Sequence, residues 1–194
     1  RSAKDQQVPF TVWRTDYSSY RAASADKARA DSVLHELTTP RADIAGLKMD
    51  RPHLMGIVNV TPDSFSDGGV HLDSRKALAG ARQMLADGAS LVDIGGESTR
   101  PGAEPVAEQQ ELARIMPVIE ALARDNSLIS ADTRRPAVMR RASAAGASFI
   151  NDVSGFQDKM AIDAARDSFL HSPGKFGVMA MHMQGTPETM QDNP

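Results

Sequence analysis

Polar side chains that can do chemistry recur at the ends of five short apolar segments. Asn59, Asp93, Asp132, Asn151 and His182 each stand at or close to the end of one segment. A carboxylate such as Asp132 is costly to bury without a partner. It can accept hydrogen bonds from a ring N–H and an exocyclic amine, and a neighbouring amide such as Asn151 can complete the pattern. This combination predicts a site for the polar edge of a pterin or purine.

Structural roles are the alternative for the same kinds of residue. Asp132 could be satisfied by backbone amides. Asp, Asn, Ser and Thr are also good helix N-caps, which is the role favoured for Thr133, Ser154 and Asp158. Capping alone does not readily explain five successive segments that end in this way, so a shared site is the favoured interpretation.

Two polar loops follow the first two segments. Residues 61–71 contain two glycines, two aspartates and two serines around Phe65, which either anchors the loop or acts as a lid on a flat ligand. In residues 97–103, Arg100 can bind a phosphate or carboxylate through two parallel hydrogen bonds. It can equally form a surface ion pair with Glu97 or Glu104, and the spacing leaves both alternatives open.

Composition and motif content exclude several functional classes. The 194 residues carry a net charge of -3, with no cysteine and a pI near 6.0, so any anionic ligand must be held by a local site. There is no Ser-His-Asp order, zinc-ligand spacing, phosphate-binding loop or apolar run of the roughly 20 residues that span a bilayer. These features predict a cytoplasmic protein with a small-molecule ligand and no nucleic-acid or membrane partner.

The elements that must position these groups alternate from Leu54 onward. Short apolar segments, suited to parallel strands buried on both faces, are followed by amphipathic stretches that end at glycine. The predicted strands are Leu54–Val60, Leu91–Gly95, Leu128–Ala131, Phe149–Val153 and Gly177–His182. The predicted helices are one capped by Asp73 or Ser74 and stopped by Gly88, one opened by Pro105, one from about Pro136 to Ala145, and one from about Asp158 to Leu170.

The repeated joints predict the fold. Residues 88–93 and 146–151 both read as a helix-ending glycine, a small linker, an apolar strand and a polar residue. Five such units without a dinucleotide-binding fingerprint predict an α/β fold of the (β/α)8 TIM barrel type. Because that barrel has eight strands and about 250 residues, only about the first five βα units are expected here, in a domain from 51 to 194 that is incomplete at its C-terminus. Residues 1–50 are expected to form an N-terminal extension with a helix from Ser24 to Leu37.

Long motifs in this order resemble those of dihydropteroate synthases. Residues 55–69 resemble the family's first signature, residues 93–102 resemble the second, and residues 130–133, 151–155 and 181–187 follow in the family's order. The resemblance spans residues 54–194. It implies a transferase of folate biosynthesis that condenses 6-hydroxymethyl-7,8-dihydropterin diphosphate with p-aminobenzoate to give 7,8-dihydropteroate and diphosphate.

The resemblance also implies roles for individual residues. Asn59 would be a ligand of the Mg²⁺ that holds the diphosphate. Asp67, which would help the first loop close over the metal, and Arg100, which would meet the diphosphate together with Thr99, are the expected catalytic residues. Phe65 and Pro101 would sandwich the p-aminobenzoate ring. The pterin-binding residues would be Asp93, Thr99, Asp132, Asn151 and Met181.

Further expectations follow from the same resemblance. The family forms homodimers and is the target of sulfonamides. Its later strands supply another pterin-binding Asp, a Lys, an Arg and a His that have no counterpart in this sequence, so the 194 residues alone are expected to be inactive. One alternative is a methyltransferase acting on methyltetrahydrofolate, which lacks the chemistry of residues 61–65. Another is a homologue that binds a pterin without catalysis.

Overall fold

The computed structural model describes residues 27–61, 69–98 and 105–182. The chain divides into two compact units, residues 1–41 and residues 42–194. Helix α1, Lys27–Thr38, lies in the first unit and confirms the helix predicted there. Residues 42–50 belong to the second unit, and the domain boundary near residue 50 stays a prediction.

The second unit is built on a parallel sheet in which strand order follows chain order. Each neighbouring pair of strands is parallel, and a helix connects each pair. This sequential order is that of a (β/α)8 barrel, whereas the strand order of a doubly wound sheet reverses. The five predicted strands are confirmed as β1 Met55–Asn59, β2 Leu91–Gly95, β3 Ile129–Asp132, β4 Phe149–Asp152 and β5 Gly177–Ala180.

The predicted helices are confirmed, with corrections at two of their starts. They are α2 Gly69–Ala86, α3 Glu108–Arg124, α4 Pro136–Ala144 and α5 Lys159–His171. The start of α2 at Asp73 or Ser74 is wrong, because the Ser74 hydroxyl is buried inside the helix and donates to the Arg114 carbonyl. Helix α3 begins at Glu108, three residues after Pro105. None of the described helices is long and apolar enough to cross a membrane.

One of the three capping predictions is confirmed. The Asp158 carboxylate accepts from the Met160 N–H at 2.8 Å and caps α5. Thr133 instead accepts from the Arg135 N–H in the turn before α4, and the N-cap of that helix is Arg135. The Ser154 hydroxyl donates to Asp152 at 2.7 Å. Both hydroxyl residues therefore stabilise turns rather than helix termini.

The sheet has two differently packed faces. One face packs against α2 to α5 through fully buried aliphatic side chains, of which Ile94, Ile115 and Ile150 are among the largest. Burial of each such side chain contributes about 1.5–3 kcal/mol. The opposite face carries a smaller apolar cluster that includes Leu91 and Phe149. The helices therefore pack against one face of the sheet. The carboxyl-terminal end of the other face is left for polar side chains.

Both repeated joints end a helix at a glycine with left-handed backbone. Gly88 has φ +108° and Gly146 has φ +111°, which confirms that the two positions are equivalent. This conformation strains any residue that has a Cβ atom. At Gly146 a Cβ atom would also lie 2.7 Å from Ala123 Cβ. Gly146 therefore requires glycine for two separate reasons, and Gly88 requires it for its backbone conformation alone.

We predict that Gly146→Ala destabilises the fold by about 2 kcal/mol, since it combines backbone strain with overpacking. Urea unfolding followed by circular dichroism measures the change. Gly80→Ala in α2 is the matched control, because no atom lies within 4 Å of the added Cβ. That control is expected to stabilise the fold by up to about 1 kcal/mol. Equal midpoints for the two variants would contradict the prediction.

Candidate functional site

The carboxyl ends of the strands bring polar residues into one row. The register pairs Asn59 with Gly95, Gly95 with Asp132, and Asp132 with Asn151. Alternate residues of a strand face the same side of a sheet. The side chains of Asn59, Asp132 and Asn151 therefore occupy the face that the helices leave open, at the edge where barrel enzymes build their sites.

Gly95 leaves a gap in this row between two oxygen atoms. A Cβ atom at Gly95 would lie 3.2 Å from Asp132 Oδ2 and 3.3 Å from Asn59 Oδ1. Both oxygens therefore border the same space, and oxygen donors suit Mg²⁺. Within residues 27–61, 69–98 and 105–182, no group of three His, Cys, Asp or Glu residues could hold a metal ion. The two oxygens beside Gly95 fit a Mg²⁺ ion that has few protein ligands and takes the others from water and phosphate.

Asp132 is the carboxyl group of the row, and its pKa is strongly shifted. Burial, followed by the negative charges of Asp93, Glu111, Asp152 and Glu97, raises the pKa of Asp132 from 3.8 to about 7. Burial penalises the charged form, and like charges add to that penalty. The carboxyl group can therefore be either protonated or ionised near neutral pH. Groups held in such a state are concentrated at functional sites.

Asn151 is held from below by Asp93. The Asn151 amide donates from Nδ2 to Asp93 Oδ2 at 3.0 Å, and Asp93 is only 4% exposed. Burial raises the pKa of Asp93, while Ser130 and Asn151 oppose the rise. The Ser130 hydroxyl opposes the rise in the pKa of Asp93 by its proximity alone. Among the described residues, neither this hydroxyl nor Asp93 Oδ1 has a hydrogen-bond partner. The pterin-binding role of Asp93 stays a prediction.

The buried carboxylate of Asp152 organises the turn after β4. It accepts from the Ser154 N–H and hydroxyl at 2.8 and 2.7 Å, and from the Phe156 N–H at 2.9 Å. The turn contains two residues with left-handed backbone, Gly155 and Phe156. The Met181 N–H donates to the Asp152 carbonyl at 3.1 Å. Asp152 therefore ties the residue after β5 to the end of β4.

A buried ion cluster, which we call the arginine cluster, joins the ends of β2 and β3. Arg135 lies 3.0 Å from Glu97 and 2.5 Å from Glu111, and it also donates to the Val106 carbonyl. The side chain of Glu111 is 1% exposed and that of Arg135 is 19% exposed. Arg134 makes a more exposed contact to Glu97 at 3.2 Å. The cluster thus fixes Glu97, the residue with which the second loop begins.

The two acidic members of the arginine cluster have opposite pKa shifts. Burial disfavours the charged form of Glu97, but hydrogen bonds from Arg135, Val106 and Arg134 outweigh it and lower the pKa. Burial dominates at Glu111 and raises its pKa despite Arg135. Sequence reasoning missed the cluster, having considered Glu97 as a polar residue after the second strand and as a partner for Arg100. The available signal was the pair Arg134-Arg135, which follows β3 at the same edge of the sheet.

The remaining predicted site residues are distributed unevenly. Met181 directly follows β5, is 43% exposed and stands next to His182, also exposed. His53 contacts Ser90 at 2.9 Å and the Lys48 carbonyl at 2.7 Å, which is a structural role. Five residues predicted to bind substrates or to act in catalysis lie outside the described residues: Phe65, Asp67, Thr99, Arg100 and Pro101.

Comparison with known proteins gives information that does not depend on the geometry of the site. The family profile described as pterin binding enzyme matches residues 55–194. Dihydropteroate synthase of Escherichia coli is 47% identical over 149 residues, which are 76% of this chain and 51% of that protein. The chain spans about half the length of the curated relatives it matches.

Solved structures agree with the sequence relatives. The Yersinia pestis dihydropteroate synthase with a sulfonamide drug complex superposes with a TM-score of 0.68 at 49% identity, covering 79% of this chain and 55% of that chain. The Burkholderia cenocepacia dihydropteroate synthase complexed with 7,8-dihydropteroate superposes with a TM-score of 0.61 at 51% identity, covering 75% and 46%. The sequential sheet described above is therefore shared with barrel proteins about twice as long.

Proposed function

The chain belongs to the family of pterin-binding enzymes, and on that premise we propose that it acts as a dihydropteroate synthase. The reaction joins 6-hydroxymethyl-7,8-dihydropterin diphosphate to p-aminobenzoate and releases diphosphate. Support comes from relatives of that name at about half sequence identity, one of them complexed with 7,8-dihydropteroate. The observation that carries the proposal is the row of Asn59, Asp132 and Asn151 on the open face of the sheet.

The end of the row that lies on β3 and β4 suits the pterin ring. Asp132 and Asn151 are neighbours in the register and offer acceptor oxygens at the open edge. A pterin presents ring N–H and amino groups, which are hydrogen-bond donors. Burial strengthens such contacts because the surrounding dielectric is low. Asp132 and Asn151 would therefore bind and orient the ring, with Met181 beside them.

The other end of the row suits the diphosphate. Asn59 Oδ1 borders the gap above Gly95, and we propose that Asn59 is the protein ligand of a Mg²⁺ ion. When bound, Mg²⁺ neutralises negative charge on the departing diphosphate. Thr99 and Arg100 are proposed to contact the same group, and Asp67 to steady the first loop. Phe65 and Pro101 are proposed to hold the p-aminobenzoate ring.

The proposed reaction forms no covalent bond between the substrates and the protein. The bond between the pterin methylene carbon and the diphosphate oxygen breaks, and the amino nitrogen of p-aminobenzoate forms a bond to that carbon and loses a proton. Oriented polar groups stabilise the charge that separates during this step. The protein residues would therefore orient the ring, hold the leaving group and exclude water.

Calorimetry tests this function through ligand binding, and an assay of diphosphate release tests the expectation that the 194 residues alone give no turnover. We expect p-aminobenzoate to bind only when diphosphate and Mg²⁺ are present, and a sulfonamide to compete with it. Pterin binding without any effect of diphosphate on p-aminobenzoate would instead indicate a pterin-binding protein without this activity. Transfer of a methyl group from methyltetrahydrofolate would indicate the methyltransferase alternative.

The assembly and location of the protein are also proposals. We propose a homodimer, on the strength of the family resemblance, and a location in the cytoplasm, on the strength of the composition. Sedimentation equilibrium and cell fractionation test the two statements separately. A monomer at micromolar concentration would contradict the first, and recovery in the membrane fraction would contradict the second.

Gly95 should be required for ligand binding more than for folding. We predict that Gly95→Ala weakens binding of 6-hydroxymethylpterin by about tenfold, since a methyl group would enter the gap between Asn59 and Asp132. The stability change should stay below about 1.5 kcal/mol, because both neighbours are side chains that can shift by a few tenths of an ångström. Calorimetry and urea unfolding measure the two effects. Unchanged affinity would place the ligand away from this gap.

A further inference from the structure

Asp93 precedes Gly95 by two residues in β2, so its side chain lies on the same open face but deeper in the sheet. We call the row of residues at this depth the second row. The register pairs Asp93 with Ser130, whereas Asn151 stands opposite Asp132 in the row above. Asp93 is 4% exposed and Ser130 is fully buried. The contact of Asp93 with the upper row is the 3.0 Å hydrogen bond from Asn151 Nδ2. Asp93 therefore lies beneath the groups that a ligand would meet.

That hydrogen bond fixes which end of the Asn151 amide faces outward. An ionised carboxylate only accepts hydrogen bonds, so the NH₂ group of Asn151 must point toward Asp93. The opposite orientation would place two oxygens against each other in a buried site, which is costly. Protonation of Asp93 on Oδ1, which Asn151 does not contact, leaves the same arrangement. The carbonyl oxygen of Asn151 is consequently the end left for the open face.

We propose that Asp93 is a positioning residue that holds Asn151 with its side-chain oxygen toward the ligand, and so makes the site select rings that present hydrogen-bond donors. This inference rests on the proposed function, because it takes the ligand to be a pterin. It reassigns Asp93 from a ligand contact to a group that acts through Asn151. Asn151 and the neighbouring Asp132 carboxyl group then offer two hydrogen-bond acceptors to the ligand. Without Asp93, the pair could offer one donor and one acceptor.

The selectivity has a definite chemical meaning. A 2-amino-4-oxopterin has donors at the amino group and at the adjacent ring nitrogen. A lumazine carries an oxygen in place of that amino group, so one donor becomes an acceptor. A site with fixed acceptors rejects the analogue, since buried oxygens would face each other. A site whose amide can rotate tolerates both ligands more evenly.

The test compares the dissociation constants of 6-hydroxymethylpterin and 6-hydroxymethyl-lumazine by calorimetry. We expect Asp93→Asn to reduce the preference for the pterin by about tenfold, because an amide at position 93 can either donate or accept. The exchanged pair, Asp93→Asn with Asn151→Asp, should recover most of the preference. In the exchanged pair the amide at position 93 donates to the carboxylate at position 151, whose second oxygen stays an acceptor for the ligand. Ser130→Ala is the control for a buried change in the same row, and it should leave the preference unaltered.

Each outcome separates the inference from the function on which it rests. If the unmodified protein binds neither ring, the proposed function fails. If Asp93→Asn weakens both rings equally, or the exchanged pair does not recover the preference, Asp93 has only a structural role and the inference fails while the function stands. Should Asp93→Asn not fold, amide hydrogen exchange in the unmodified protein decides the matter. We expect slow exchange of the Asn151 side-chain NH₂, and exchange at the rate of a solvent-exposed amide would overturn the inference.

Discussion

Replacing Asp132 with Asn is expected to stabilise the fold above neutral pH and at the same time to weaken pterin binding by about 100-fold, the value of one charge-assisted hydrogen bond. Stability should rise and affinity should fall because ionisation of the buried Asp132 carboxyl group costs folding free energy, while the ionised group is the stronger acceptor for the ligand. Burial and four neighbouring acidic residues raise its pKa to about 7. An amide has no charge to desolvate, and it loses the acceptor strength that a ring N–H would meet.

The pH dependence follows from the direction of that shift. Below the usual carboxyl pKa of 3.8, Asp132 is protonated in both the folded and the unfolded states. Between that value and about 7, the folded protein keeps a proton that the unfolded chain has lost, so stability falls as pH rises. The full difference corresponds to roughly 4 kcal/mol, and solvent at this half-buried position reduces it to about 2 kcal/mol.

Urea unfolding at several pH values checks the stability effect. Asp132→Asn should exceed the unmodified protein by about 2 kcal/mol near pH 8, and the advantage should shrink toward zero near pH 4. Asp50→Asn, at an exposed turn position, should show no such dependence. Calorimetry with 6-hydroxymethylpterin measures the binding effect. A variant that is less stable at high pH, or that binds as well as the unmodified protein, would contradict the role given to Asp132.

The strands could be predicted because of how parallel strands are buried. Segments such as Leu91–Gly95 are covered on both faces, so they read as continuous apolar runs. Glycines with left-handed backbone at 88 and 146 then marked the helix ends. Helix starts were harder to predict. Ser74 has the type of a cap residue, but its burial against Arg114 is a tertiary contact that no local pattern reveals.

The row of the site could be predicted, whereas its pairings could not. Strand ends in a barrel meet at one edge, so Asn59, Asp132 and Asn151 were expected together. The partners of those groups depend on register and side-chain rotamers. The Asn151 amide meets Asp93 across 58 positions of sequence, and Arg135 meets Glu97 across 38. Neither spacing is periodic, so only the folded structure reveals these contacts.

Replacing Arg135 with Met is expected to destabilise the protein by about 3–5 kcal/mol near pH 7, the usual cost of leaving a buried charge without its partner. The change leaves the buried Glu111 carboxyl and Glu97 as adjacent like charges and removes the donor to the Val106 carbonyl. The arginine lowers the pKa of Glu97 and opposes the rise at Glu111. Both values should therefore increase in the variant.

The loss should diminish in acid, because protonation of Glu97 and Glu111 removes the unpaired charges as pH falls through the pKa values that these groups have in the variant. Arg134→Met is the matched control, since Arg134 also contacts Glu97 but its side chain is 40% exposed. An exposed pair contributes at most about 1 kcal/mol.

Urea unfolding of both variants at neutral and acid pH makes the comparison. Equal losses for Arg134 and Arg135, or a loss at Arg135 that does not change with pH, would show that packing of the side chain outweighs its charge. The order expected from burial is a large, pH-dependent effect at Arg135 and a small one at Arg134, because only Arg135 neutralises a carboxylate that water cannot reach.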